Sequence, residues 1–109
     1  MLTFNLKIPP TSGIKVPFPP KKVGVRRLIL STRINDFVLT YNDNEILVTS
    51  LYQSLYEIEF NSYFGYPDAS LFSIINKSSG DSAYVRIMID NVPESPVNDN
   101  YFEKENVPL

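Results

Sequence analysis

The stretch Tyr84-Val85-Arg86-Ile87-Met88-Ile89-Asp90 decides the fold class. Val85, Ile87 and Ile89 face one way, and Tyr84, Arg86, Met88 and Asp90 face the other. A period of two is that of a strand with one side against a core. The same alternation opens the chain, where Leu2, Phe4, Leu6 and Ile8 share a face and Thr3, Asn5 and Lys7 share the opposite one. Between these ends, Val23 to Thr32 is rich in β-branched and aliphatic residues, and Phe37 to Tyr41 follows the turn-forming pair Asn35-Asp36. Asn42-Asp43-Asn44 then separates Phe37, Leu39 and Tyr41 from Ile46 to Val48, the composition of a tight hairpin loop.

Leu51 to Phe60 reads two ways. Leu51, Leu55 and Ile58 have helical spacing, whereas Tyr56, Ile58 and Phe60 alternate with Glu57 and Glu59. A strand from Leu55 onward is favoured, preceded by a single turn or short helix around Ser50 to Ser54. Tyr63-Phe64-Gly65-Tyr66-Pro67-Asp68 is a loop by its Gly, Pro and Asp content, Leu71 to Asn76 a further strand, and Ser78-Ser79-Gly80-Asp81 a turn. About seven short strands with no long amphipathic helix predict an all-β chain, two antiparallel sheets packed face to face in a sandwich. Jelly-roll order is one arrangement and barrel closure the alternative; the pattern itself does not give the strand order.

Proline sets the expected boundaries. Pro9, Pro10, Pro17, Pro19 and Pro20, with Thr11, Ser12 and Gly13 among them, predict an extended arm, because proline removes ladder donors and breaks helices. Residues 1–22 therefore read as an N-terminal strand plus a basic arm, 23–91 as the sandwich core, and 92–109 as a C-terminal tail containing Pro93, Pro96 and Pro108. Ile14, Val16 and Phe18 alternate along the first arm, followed by Lys21 and Lys22; Tyr101, Phe102, Val107 and Leu109 punctuate the second. Such segments suit docking onto a neighbouring molecule and gain order when bound. The plainer reading of the first arm is that it covers an edge of its own sheet.

At 109 residues, 43% of them hydrophobic, the chain suffices for one domain with a proper core. It contains neither cysteine nor histidine. That removes disulfides, thiolate metal sites, cysteine nucleophiles and the commonest general base, so the expectation is a non-enzymatic protein without cofactor or metal. No stretch approaches the ~20 apolar residues that span a bilayer, and no charged segment precedes an apolar run at the N-terminus, which reads as synthesis in the cytoplasm.

The net charge of -2 conceals a division. Lys7, Lys15, Lys21, Lys22, Arg26, Arg27 and Arg33 precede the first acid, and all 12 acids follow, against only Lys77, Arg86 and Lys104. Either basic strands pair with acidic ones inside one domain, or a basic arm on one molecule meets an acidic surface on the next. Three further features invite a site. Asp43, Asn44 and Glu45 have calcium-type oxygens but lack the spacing of an EF-hand loop, and hairpin chemistry explains them more simply. Tyr63, Phe64 and Tyr66 with Asp68 resemble the aromatic-plus-acid surfaces that stack on sugars, although rings capping the core are the favoured reading. The pI near 5.0 argues against a dedicated nucleic-acid binder, an objection that only contact of the basic arm with a packaged genome would survive.

The armed ends at Pro9 to Lys22, the strands Val25-Arg26-Arg27-Leu28-Ile29-Leu30 and Tyr84-Val85-Arg86-Ile87-Met88-Ile89, and the Asn- and Tyr-rich turns together resemble the small β-sandwich structural proteins of bacterial viruses: capsid decoration, minor capsid or vertex components, and head-tail or tail adaptors. The resemblance covers the whole chain in style and carries no specific motif. It implies location in a virion, made in the host cytoplasm, and partners that are copies of the chain or another capsid or tail protein. A carbohydrate- or ligand-binding module is the alternative.

Overall fold

The structure, a computed structural model, describes residues 1–17, 22–33, 37–50, 53–60, 65–92 and 97–98. In chain order the strands are β1 (Leu2–Ile8), β2 (Gly13–Lys15), β3 (Gly24–Thr32), β4 (Phe37–Tyr41), β5 (Asn44–Val48), β6 (Leu55–Glu59), β7 (Tyr66–Pro67), β8 (Phe72–Asn76), β9 (Ala83–Val92) and β10 (Val97–Asn98). They form two four-stranded antiparallel sheets, β1-β9-β3-β6 and β2-β8-β4-β5, with a short parallel pair of β7 and β10. The chain is thus an all-β sandwich. Alternation read from sequence holds in both long outer segments: Leu2, Phe4, Leu6 and Ile8 point inward from β1, and Ala83, Val85, Ile87 and Ile89 from β9.

The pairing is nested about one turn. Asn42 and Asp43 have positive φ (48° and 67°), the left-handed conformation that a two-residue hairpin turn of matching twist requires and that Asn and Asp tolerate best among side-chain-bearing residues. From that turn the two arms of the chain pair outward: β4 with β5, β3 with β6, β2 with β8 and β1 with β9. The ribbon so formed wraps on itself, which adds the pairs β3 with β9 and β4 with β8.

Two bulges reconcile sequence with this register. Val25 and Leu28 are both fully buried although strict alternation would turn one outward. The ladder slips between Val25 and Arg27, so Arg26 is an extra residue and both arginines stay on the outer face. A second slip, opposite Leu39 and Thr40, makes Ile46 the extra residue of β5.

The core lies between the sheets and is dominated by Leu28, Leu30, Phe37, Leu39, Tyr41, Phe72, Ile74, Val85, Ile87 and Ile89. Tyr41 meets Phe72 edge to face with ring centroids 4.8 Å apart, and its hydroxyl accepts the Asp68 N–H at 2.7 Å, so the buried phenol keeps a polar partner. One end of the sandwich is locked by Asn76, which is 1% exposed. Its Nδ2 donates to the carbonyls of Ile8 (2.9 Å), Pro9 (3.2 Å) and Asp81 (2.8 Å), while its Oδ1 accepts the Ser78 N–H at 2.9 Å. This one side chain joins the corner where β1 leaves for β2 to the corner where β8 leaves for β9.

The stretch from Pro9 to Pro17 takes the plainer of the two courses expected of it and covers an edge of its own sheet, with regular ladder pairing that its prolines had argued against. Gly13, Ile14 and Lys15 pair with Ile75, Ile74 and Ser73, and Val16 donates its N–H to the Phe72 carbonyl at 3.2 Å. Prolines flank these ladder positions rather than occupying them, so the segment takes the edge of the second sheet. The expected end of regular structure near residue 91 is also displaced: β9 continues through Val92, and Val97–Asn98 pairs with Tyr66–Pro67, inside what reads as a loop. Ser50 to Ser54 lies partly outside the described residues.

Two outcomes follow for stability. Asn76→Ala, which removes the side-chain partner of the buried Ile8 carbonyl, of the part-buried Pro9 and Asp81 carbonyls and of the Ser78 N–H, lowers unfolding free energy by about 3 kcal/mol in chemical denaturation, whereas Lys77→Ala on the adjacent exposed position changes it by less than about 0.5 kcal/mol. Asp43→Gly, which places glycine at a left-handed turn position, raises stability by up to about 1 kcal/mol by the same measurement.

Candidate interaction surfaces

The residues expected to dock on partners are dispersed by the fold. Val16 is 3% exposed and belongs to the chain's own core, so it is no external anchor. Ile14 sits at the sheet edge with 36% exposure, and Lys22 is exposed. Phe18, Lys21, Tyr101, Phe102, Val107 and Leu109 lie outside the described residues.

The aromatic-plus-acid surface loses its acid. Asp68 is 3% exposed because it caps the short 3-10 turn Ala69–Leu71, where its Oδ1 accepts both the Ser70 N–H and the Ser70 hydroxyl at 3.0 Å. Its carboxylate is therefore engaged by its own backbone instead of facing a sugar. Tyr66 is half-buried against the core, and Tyr63 and Phe64 lie outside the described residues.

The outer face of the first sheet carries the charge. At one end the bulge presents Arg26 and Arg27 together toward Asp90. Arg26 grips Asp90 in a two-point contact, Nε to Oδ2 at 3.3 Å and Nη2 to Oδ1 at 3.1 Å. Arg27 donates to Glu57 Oε1 at 3.1 Å, with its Nη2 3.9 Å from Asp90 Oδ2. The Arg26 hydrogen bond holds the Asp90 carboxyl below its ordinary range; partial desolvation opposes this, and the charges of Arg26 and Arg27 reinforce it. At this end the basic and acidic segments neutralise one another within the domain.

The opposite end of the same face is different. Lys7 pairs across the ladder with Tyr84, Asn5 and Ser31 both pair with Arg86, and Thr32 pairs with Val85, which brings Arg33 alongside Tyr84. A hollow of about 440 Å³ results, lined by Asn5, Lys7, Ser31, Arg33, Tyr84 and Arg86 among others. Lys7 Nζ and the Arg33 guanidinium lie 5.8 and 5.2 Å from the Tyr84 ring centre, within cation-π range, and Asn5 Oδ1 accepts from Arg86 Nε at 3.1 Å. Among the described residues no carboxylate lines it. Sequence reasoning separates Tyr84 and Arg86 onto the outer face of their strand but has no means of placing Lys7 and Arg33 beside them, because that depends on register between strands far apart in the chain.

A shallower hollow on the second sheet is lined by Gly13, Ile14, Lys15, Thr40, Asp43, Ser73 and Ile75. Exposed apolar side chains concentrate elsewhere, with Val48 (66%) and Leu55 (57%) at either end of the 49–54 connection between the outermost strands β5 and β6. Among the described residues no three acidic side chains gather as metal ligands, and no helix is long and apolar enough to cross a membrane.

The Asp90 contacts carry a pH signature. A carboxyl whose folded pKa is depressed contributes stability that is fully present above its unfolded pKa, about 3.9, and is lost as pH falls through the lower folded value. Asp90→Asn lowers Tm at neutral pH, and the difference from the unaltered chain vanishes below that window; thermal melts between neutral and strongly acid pH measure both.

No protein-family model, curated protein or solved structure matches this chain.

Proposed function

We propose that the chain is a non-enzymatic structural protein of a virion, a capsid decoration, minor capsid, vertex or tail-adaptor component that assembles with copies of itself or with another structural protein. The observation that carries this reading is the strand order. Facing sheets of order β1-β9-β3-β6 and β2-β8-β4-β5, made by wrapping one long antiparallel ribbon, support reading the sandwich as an eight-stranded jelly roll, an architecture recurrent in viral capsid proteins and lectins. The surface chemistry adds to this likeness of architecture.

Two surface features favour assembly over sugar binding. Asp68 is consumed by its own cap, which weakens the ligand-binding alternative built on Tyr63, Phe64, Tyr66 and Asp68. Val48 and Leu55 present apolar surface beside outermost strands, where backbone groups and side chains are both open to a second chain. The segments bearing Phe18 and Tyr101-Phe102 supply further apolar anchors for a neighbour.

Assembly is tested by substitution. Deleting residues 1–22 would remove β1 and β2, one strand from each sheet, and so would measure folding instead. Light scattering after size exclusion is expected to find a defined oligomer for the full chain, or a defined complex with a virion structural protein. Val48→Asp with Leu55→Asp, or Phe18→Ser with Phe102→Ser, shifts that species toward monomer while the melting curve remains cooperative. A chain that stays monomeric throughout a dilution series, alone and with virion structural proteins, overturns the reading.

A further inference from the structure

We propose that the hollow between β1, β9 and β3 binds a phosphate group, with Lys7, Arg33 and Arg86 as its cationic wall and Ser31 and Asn5 as neutral hydrogen-bonding partners. The inference goes beyond assembly and stands independently of it.

The contrast along one sheet face is the starting point. Arg26 and Arg27 at one end are matched by Asp90 and Glu57, as surface arginines in a chain of net negative charge should be. Lys7, Arg33 and Arg86 at the other end form no ion pair among the described residues; Lys7 and Arg33 converge on the Tyr84 ring, and Arg86 lines the same hollow. Clustered like charges repel, and an oxyanion placed among them relieves that repulsion.

The cations are also held in place. Tyr84, 37% exposed, supports the Lys7 ammonium and the Arg33 guanidinium through its ring, which limits the rotamers these long side chains would otherwise sample. Asn5 braces Arg86 through Nε alone, so the two Nη groups project as a fork without a partner among the described residues. Two arginine forks and one ammonium suit the several oxygens and greater charge of phosphate better than the two oxygens of a single carboxylate. The hollow, about 440 Å³, is of the size that holds a small ligand.

The phosphate has two sources, a free nucleotide or inorganic phosphate, or the backbone of a single-stranded polynucleotide crossing the sheet. The experiment titrates the full chain at low salt with a fluorescein-labelled oligothymidylate, read by anisotropy, and with inorganic phosphate, read by the arginine Nε–H and tyrosine signals in NMR. Saturable binding is expected with at least one probe. Arg33→Gln, Arg86→Gln and Lys7→Gln each weaken it roughly fivefold, whereas Lys15→Gln on the other sheet leaves it unchanged. For the oligonucleotide, each hollow variant reduces the salt slope by about 0.7, the value for one lost contact to a single strand. Arg86→Lys, which keeps the charge but not the fork, binds less tightly than the unaltered chain. Saturation by phosphate assigns a free-phosphate site, and saturation by oligonucleotide alone assigns a polynucleotide backbone. Three results overturn the proposal: no saturable binding of either probe, equal losses for Lys15→Gln and the hollow variants, or displacement of the bound oligothymidylate by a polyglutamate peptide but not by unlabelled oligothymidylate.

Discussion

Everything in this fold is indexed to the turn at Asn42-Asp43. A two-residue turn with both residues left-handed fixes the register of β4 against β5, and the same register then runs outward through β3 and β6 with partners equally far from Asp43. Because side chains alternate with a period of two, an error of one residue there would turn the apolar faces of the following strands to solvent. Where the sequence does not fit one unbroken ladder, the fold spends an unpaired residue, at Arg26 and at Ile46, and keeps Val25, Leu28 and Leu47 on the inner side.

The nested ribbon also accounts for the segregation of charge along the chain. Within each sheet, strands that precede the Asn42-Asp43 turn alternate with strands that follow it, so nearly every basic strand has neighbours from the acidic part of the sequence. Arg27 lies opposite Glu59 on one side and Asp90 on the other, with Glu57 within reach. A division that looks bipolar in one dimension is largely interleaved in three. The exception is at the start of β9, where Arg86 instead of an acid meets Lys7 and Arg33, and this is why one end of the face remains basic.

The sandwich was legible because the long strands β1 and β9 expose one face and bury the other, which prints a period of two on the sequence. The Asn-Asp turn was legible for the same kind of local reason. That the first arm could cover an edge of its own sheet was legible, but its regular pairing as β2 was masked by prolines, which signal irregularity while Gly13 to Lys15 between them retain their N–H groups. Asp68 reads as a surface acid beside aromatics because capping depends on the backbone of the next two residues, and burial of that cap depends on Tyr41, far away in sequence. The basic hollow draws its side chains from β1, from β9 and from the end of β3 and the residue after it, so no local pattern could announce it. Asn76 is likewise an ordinary polar residue at a strand end until the two corners it joins are brought together.

The nesting has a consequence for how the chain is made. Synthesis runs from the first strand to the last, so the hairpin of β4 and β5 is complete early and can close with little loss of chain entropy. β1, although synthesised first, has no ladder partner until β9 emerges: Leu2 waits for Ile89 and Ile8 for Ala83. At ribosomal rates of about 5–20 residues per second, that interval lasts on the order of 4–16 seconds, during which Leu2, Phe4, Leu6 and Ile8 form an alternating apolar strand with nothing to cover it. The charges Lys7 and Lys15 and the prolines from Pro9 to Pro20 sit beside that strand throughout the wait. Residues that interrupt β-pairing are therefore stationed where premature association would begin, and the same stretch that looks least structured in the finished sequence guards the strand that is longest alone.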